Sequence, residues 1–378
     1  MARLPLLPDL SIGVDIGGTK VAAGVVDEVG TILERAVQPT PSHSPRAVED
    51  AIVGAVTDLR SRHRVVAVGI GAAGWVDNAQ AVVRFSPHLA WRSEPLRDRL
   101  SARIDLPLIV DNDANAAAWA EYRFGAGRGS SVMVCITLGT GIGGGLVING
   151  QLFRGTYGMA GEWGHMVAVP GGHRCECGNR GCWEQYASGN ALVREARGLA
   201  RTNSPLAYRL LELAGGGDID AITGPSVTAA ALAGEPNAIE LFDDVGGWLG
   251  QGIANLAAAL DPDLFVISGG VSAAGDLLLR PAELAFHRTL TGRGFRPEAR
   301  LVIAHFRNDA GLIGAADLAR RAMIEPPESG RFGFWPRRKR RGKTARPLRD
   351  SLRTRDSVLA PRIAAPRRAA STERRPRA

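Results

Sequence analysis

Residues Ile109-Val110-Asp111-Asn112-Asp113-Ala114-Asn115 set two carboxylates and two amides at the end of an apolar run, just where a helix-forming stretch begins. In open α/β sheets, ligands gather at the carboxyl ends of strands. A carboxylate placed there can take the proton of a hydroxyl while a neighbouring amide holds that hydroxyl in position. The plainer reading makes one of Asp111 and Asp113 the N-cap of that helix; a carboxylate surplus to the cap, beside an Asn, is what a hydroxyl-activating site requires.

Two glycine-rich turns offer phosphate-binding backbone. Asp15-Ile-Gly17-Gly18-Thr19-Lys20 and Thr137-Leu-Gly-Thr140-Gly141-Ile-Gly-Gly-Gly145 each read as a strand, a Gly/Thr turn and a returning strand. Neither fits the G-x-x-x-x-G-K-[ST] loop of the P-loop enzymes, and a dinucleotide fold is disfavoured. Two hairpins facing each other across a cleft would present N–H groups and Thr hydroxyls to the two sides of one polyphosphate. Thr19, Lys20, Thr140 and Gly141 are the expected phosphate contacts. Asp15 ends an otherwise apolar strand, where a hydrated Mg²⁺ on the phosphates would need a carboxylate.

Cys175-x-Cys177-x4-Cys182 brings three of the four cysteines within eight residues. Three thiolates and one imidazole make a closed tetrahedral zinc site, and closed sites are structural. His165 and His173 compete for the fourth position, with spacing favouring His165 only slightly. Cys135, inside an apolar strand pattern, is expected to be a buried small residue. Glu162 and Glu184 flank the cluster. If a metal pins the two segments together, both carboxylates and the free ring nitrogen of His165 can converge on one small polar molecule, which is how a protein reads the hydroxyls of a sugar.

The elements that must position these groups alternate. Three short strands cover residues 11–38, a helix runs from Pro45 to Arg62 with Ser44 as N-cap, and strands at 65–71 and 106–111 alternate with helices near 94–103 and 114–124. A second strand-rich stretch starts at Ser131, and the pattern turns mostly helical from Ser188. The longest helix is expected from Asn237 to Leu260; its Gly246, Gly247, Gly250 and Gly252 cost about 1 kcal/mol each relative to Ala and point to a close backbone or ligand. A strand, a helix at 275–290, another strand and a last helix at 309–323 follow. Strands alternating with helices after a hairpin start argue for an α/β protein.

Charge is unevenly placed. The segment Pro327 to Ala378 holds 17 Lys/Arg against 4 Asp/Glu, a net of +13, which leaves −5 on residues 1–326 of a chain at +8. Rich in Arg, Pro and Ser, this tail is expected to be disordered. A basic arm can touch nucleic acid or an anionic surface, but solvated extension is the plainer reading. Pro5 and Pro8 break the first ten residues, so they supply no signal-peptide core, and a cytoplasmic location without membrane contact is expected.

Taken in order, DIGGTK at 15–20, GIGAAGWVD at 69–77, DNDANAAAWAE at 111–121, TLGTGIGGG at 137–145, GEWGH at 161–165, CECGNRGCWEQYASG at 175–189 and SGGVSAAG at 268–275 resemble the ROK family of bacterial sugar kinases and repressors, and within it the ATP-dependent glucokinases. The resemblance covers about residues 10–325. It implies two actin-like, ribonuclease-H-like domains closing on ATP and a hexose: residues 1–123, with the last helix at 309–325 returning to them, and residues 124–308. It implies Asp113 as catalytic base, sugar contacts at Asn112, Glu162, His165, Glu184 and the loop near Gly71, and zinc on His165, Cys175, Cys177 and Cys182. Phosphates and Mg²⁺ would meet Asp15, Gly17, Gly18, Thr19, Lys20, Thr140 and Gly141, and adenosine would lie near Gly269, Gly270 and Val271. The loop at 71–74 reads GAAG where many relatives carry a proline, and the basic tail has no counterpart.

The implied reaction is transfer of the γ-phosphoryl of MgATP to the 6-hydroxyl of glucose, in a dimer or tetramer. The alternatives are an N-acetylhexosamine kinase, a polyphosphate-dependent glucokinase, which usually lacks the cysteine cluster, and a sugar-responsive repressor, which would carry a winged helix-turn-helix ahead of the first strand.

Overall fold

The computed structural model describes residues 9–202 and 204–324; the basic segment at 327–378 lies outside the described residues. β1 (Leu10–Ile16), β2 (Lys20–Val26) and β3 (Ile32–Pro39) form an antiparallel meander. α1 (Pro45–Arg62) starts where Pro fixes the first helical φ and the Ser44 side chain accepts from Ala47 N. It leads to β4 (Val65–Ala72). A flap of β5 (Trp75–Val76), β6 (Val83–Phe85) and β7 (Arg92–Glu94), then α2 (Leu96–Ser101), precede β8 (Leu108–Asn112). The first sheet runs β3-β2-β1-β4-β8, with β1, β4 and β8 parallel.

α3 (Asp113–Phe124) leaves β8 directly and leads to a second meander of β9 (Val132–Leu138), β10 (Ile142–Ile148) and β11 (Gln151–Phe153). A helical layer follows: α4 (Glu184–Ala187), α5 (Gly189–Arg201), α6 (Pro205–Gly215), α7 (Gly224–Leu232) and α8 (Pro236–Leu260). Then come β12 (Leu264–Ser268), α9 (Asp276–Thr289), β13 (Arg300–Ile303) and α10 (Ala310–Ile324). The second sheet runs β11-β10-β9-β12-β13, a meander followed by two parallel strands, as in the first. The echo between the two glycine-turn motifs is therefore an echo between two whole sheets.

Packing follows from residue size. α10 lies on β1, β4 and α3, close enough that a Cβ at Gly13 or Gly69 would enter its backbone. In α8, Gly246 and Gly250 meet α9, and Gly252 meets the indole of Trp183, whereas Gly247 faces open space. Most of that glycine density thus serves helix and side-chain approach. Val134, Ile136, Phe242, Leu249, Ile253, Phe265 and Phe286 form the core between the second sheet and its helices, each contributing about 1.5–3 kcal/mol by burial. A further core joins the two sheets through Trp119 of α3, Cys135, Val266 and Ala315. Cys135 is buried there, as expected for a small apolar residue. The flap was not anticipated from the sequence: its strands are two or three residues long, too short to show a period-2 pattern. Among the described residues, no helix is long and apolar enough to cross a membrane.

Candidate active site

Asp15 and Lys20 on either side of the first turn, the turn Gly139–Gly141, the start of α3, the flap and the segment before α10 border one cleft of about 340 Å³, whereas Gly17, Gly18 and Thr19 are not in its lining. Both hairpin turns close by a short backbone bond, Gly17 N to Lys20 O and Gly139 N to Gly141 O, each 3.0 Å. Asp15, Lys20, Asn112, Asp113, Thr140, Gly141, Glu162, His165, Glu184 and Gly269 all line the cleft. Gly17, Gly18 and Thr19 form the first turn, with Gly18 packed against His88 Cβ. Gly270 and Val271 lie one step back from the wall, and Val271 is buried.

The loop near Gly71 reaches the cleft through Ala73 and Gly74, while behind it lies Gly71 itself. It sits within β4, in register with Asp15 on one side and Asp111 on the other, and is buried behind the first turn of α3 near Asp113 Cα. Strand pairing keeps it from the cleft, and Ala73, Gly74 and Trp75 take that wall instead.

The two aspartates at the end of β8 differ sharply. Neither caps α3: Asn112 does, its Oδ1 accepting from Asn115 N at 2.9 Å, while its Nδ2 donates to Gly74 O and Asp113 Oδ1, both at 3.0 Å. Asp111 is buried and accepts from Arg154, Gln80, Asn115 and Asn112 N. Asp113 Oδ1 accepts from Asn112 and from Ala114 N at 2.9 Å, which fixes the rotamer. Burial, with the charges of Asp15 and Glu162 against the effect of the Ala114 N–H, pushes Asp113 up to about 7. Asp15 is pushed up to about 6 by burial, partly offset by Lys20. Such a carboxylate near neutrality suits proton acceptance.

β10 carries the opposite wall. Its Gly143 and Gly145 face Ala114 and Ala118 of α3, and Gly144, on the other face, lies against the Trp163 ring. Trp163–His165 form a 3-10 turn packed on this bare strand. Glu162, raised by burial against the pull of His165 and of a hydrogen bond from Trp75, stands 3.8 Å from His165 Nε2. His165 Nδ1 turns the other way, 3.6 Å from Cys175 Sγ and 3.5 Å from Glu184 Oε1.

The ligand atoms of His165, Cys175, Cys177 and Cys182 lie within 4.8 Å of one another. Cys177 and Cys182 sulfurs are 3.6 Å apart, close to the edge of about 3.8 Å of a tetrahedron with Zn–S bonds of about 2.3 Å. Burial raises the Cys175 and Cys182 thiols, and Glu184 beside Cys175 raises that one further, so thiolates there need a cation. The donor set fits zinc. His173 stands outside the set, its ring against Tyr186. Sequence reasoning missed Trp75, His88, Arg307 and Asn308, which also line the cleft. Trp75 lies inside a quoted motif and reads as a core aromatic; the other three carry no spacing signal.

A model described as the ROK family matches residues 11–322. The glucokinase of Streptomyces coelicolor is 51% identical over 311 residues, 82% of this chain and 98% of that relative. The N-acetylmannosamine kinase of Escherichia coli is 36% identical over 318 residues, 82% of this chain and 98% of the relative. The crystal structure of a ROK family glucokinase from Streptomyces griseus in complex with glucose and AMPPNP superposes with a TM-score of 0.77 at 51% identity, covering 82% of this chain and 99% of that one.

Proposed function

The chain belongs to the ROK family, and from that premise we propose that it transfers the γ-phosphoryl of ATP to the 6-hydroxyl of glucose. The observation that carries this reading is the convergence, in one cleft, of Asp113, Glu162 and His165 with Asp15, Lys20 and the Gly139–Gly141 turn. The identity of 51% to a glucokinase over nearly its whole length supports the choice of sugar.

Asp113 takes the hydroxyl proton. Its Oδ1 is occupied by two donors, so Oδ2 is the oxygen left to accept. Asn112, held by the helix N–H on one side and Gly74 on the other, keeps the neighbouring sugar hydroxyl in register. Glu162, His165 Nε2 and Glu184 bind further hydroxyls, while Thr140, Gly141 and Lys20 hold the donor phosphates. Asp15 would hold Mg²⁺ through water, and that ion when bound offsets phosphate charge. Zinc on His165, Cys175, Cys177 and Cys182 would fix the sugar wall without entering the reaction. The first sheet with α10, and the second sheet with its helices, act as the two ATPase lobes.

The test is a coupled assay of the purified chain with ATP against glucose, mannose, N-acetylglucosamine and N-acetylmannosamine. Glucose should give the largest kcat/KM. Turnover of N-acetylmannosamine in preference to glucose would overturn the sugar assignment, and no ATP-dependent turnover of any of the four would overturn the reaction.

A further inference from the structure

α3 carries the proposed base in its first turn and, in its last, a carboxylate that the mechanism above does not use. Glu121 is fully buried, and the donors it accepts from are main-chain N–H groups. Its Oε2 accepts from Ala126 N and His305 N, each at 3.0 Å, and its Oε1 from Phe306 N at 2.7 Å. Its carbonyl oxygen accepts from Gly125 N and Gly127 N at 3.0 and 2.9 Å. Burial disfavours a charge, and the helix dipole disfavours an acid near a C-terminus. A carboxylate kept in such a place needs a reason beyond filling space.

Its donors come from the two places where the chain passes between the sheets. Residues 125–131 lead from α3 into β9, and residues 304–309 lead from β13 back to α10, which packs on the first sheet. One side chain thus ties both crossings to one helix end. The crossings in turn serve the reacting part of the cleft. β9 runs into the Gly139–Gly141 turn. The second crossing puts Arg307 and Asn308 on the cleft wall, and just beyond it a Cβ at Gly311 would stand 2.9 Å from the carboxyl carbon of Asp15. Asp113 begins α3, eight residues before Glu121 and about 12 Å away along the helix. Sugar recognition bypasses this arrangement, because Trp163, between Glu162 and His165, packs on β10, and β10 packs directly on Ala114 and Ala118 of α3. Resting on the kinase reading above, we infer that Glu121 is a positioning residue: by clamping both crossings to α3, it holds Asp113, Asp15 and Lys20 in register with the donor turn of the second sheet.

The experiment compares full-length wild type with E121Q and G125A. It uses steady-state kinetics in ATP and in glucose well below every melting midpoint, titration with a non-hydrolysable ATP analogue, and circular dichroism to read the folded fraction. E121Q sets an amide N–H where an acceptor is needed, whereas G125A keeps the acid but drives a Cβ into its Oε2. Each should lower kcat per folded enzyme about ten- to hundredfold, as misalignment far from the chemistry does, and leave both KM values and the analogue affinity within about threefold. An acid with a purely structural role would lower the melting midpoint and leave kcat per folded enzyme unchanged. That result in both variants would overturn the inference. So would a rise in one KM at constant kcat, which would make Glu121 part of one substrate's pocket. If E121Q does not fold, G125A reads the same clamp; failure of both to fold would make Glu121 a fold determinant and overturn the positioning role. Wild type without ATP-dependent phosphorylation of glucose sinks the kinase reading itself, whereas active wild type beside variants of unchanged kcat sinks the clamp alone.

Discussion

Arg154 reaches from the end of the β10–β11 hairpin to Asp111 and donates from Nε and Nη2 to the same carboxylate oxygen, at 2.8 and 2.6 Å. That pair removes Asp111 from the free acids of the cleft and leaves Asp113, two residues on, with an oxygen uncommitted. It also bolts the second sheet to the end of β8, beside the proposed base.

Asp113→Asn should lower kcat by about 10²–10⁴ and leave glucose affinity, measured by equilibrium titration, within a few fold. Asp111→Ala should act on stability instead. Deleting one partner of a buried ion pair costs about 3–5 kcal/mol, read as a lowered midpoint in urea. Near-normal turnover in the first variant would take Asp113 out of the base role.

The pH dependence of kcat/KM for glucose should rise through an apparent pKa near 7, since the free enzyme must hold Asp113 ionised. The same shift has a stability consequence of opposite sense. A carboxyl whose folded pKa is raised from 3.8 to about 7 favours the fold while protonated, and loses that contribution as pH climbs through 7. The ligand-free protein should therefore lose stability as pH rises from about 4 to about 7. Asp113→Asn should flatten that part of the melt profile.

Metal analysis of freshly purified protein should find one equivalent of zinc per chain. Cys177→Ser or prolonged chelation should release it, lower the melting temperature and raise KM for glucose more than it lowers kcat, because His165 and the Glu184 segment lose their anchor. Protein with full sugar affinity and no bound metal would contradict the role given to the cluster.

Trp75→Phe keeps the ring but removes the N–H that Glu162 accepts. One hydrogen bond to a carboxylate is worth about 1.5–3 kcal/mol, so KM for glucose should rise about tenfold or more while KM for ATP stays put. Equal rises in both would point to flap disorder instead.

Much of this was legible in the residues. Ser44-Pro45 announces α1 to the residue, and the repeated strand–glycine turn–strand pattern announces the two hairpins β1–β2 and β9–β10. The choice between Asp111 and Asp113 was not legible locally, since it depends on Arg154, 43 positions away. The cap escaped for a related reason: Asn112 lies between two residues that are equally good caps, and only the contact with Gly74 fixes its rotamer. Gly71 was legible as the end of a strand, and its pairing with both Asp15 and Asp111 keeps it inside the sheet. The flap hides because its aromatic Trp75 and Phe85 pack against each other at a tilt from strands too short to announce themselves.

β10 presents nothing but hydrogen on both of its faces from Gly143 to Gly145, so α3, which begins at the proton acceptor, and the turn that carries the hydroxyl readers each pack on it at backbone distance. The spacing between abstraction and recognition is then set by bare backbone. A bulkier acceptor would have to find its room at the flap, where Trp75 and Phe85 pack, because the strand itself has no side chain left to trim.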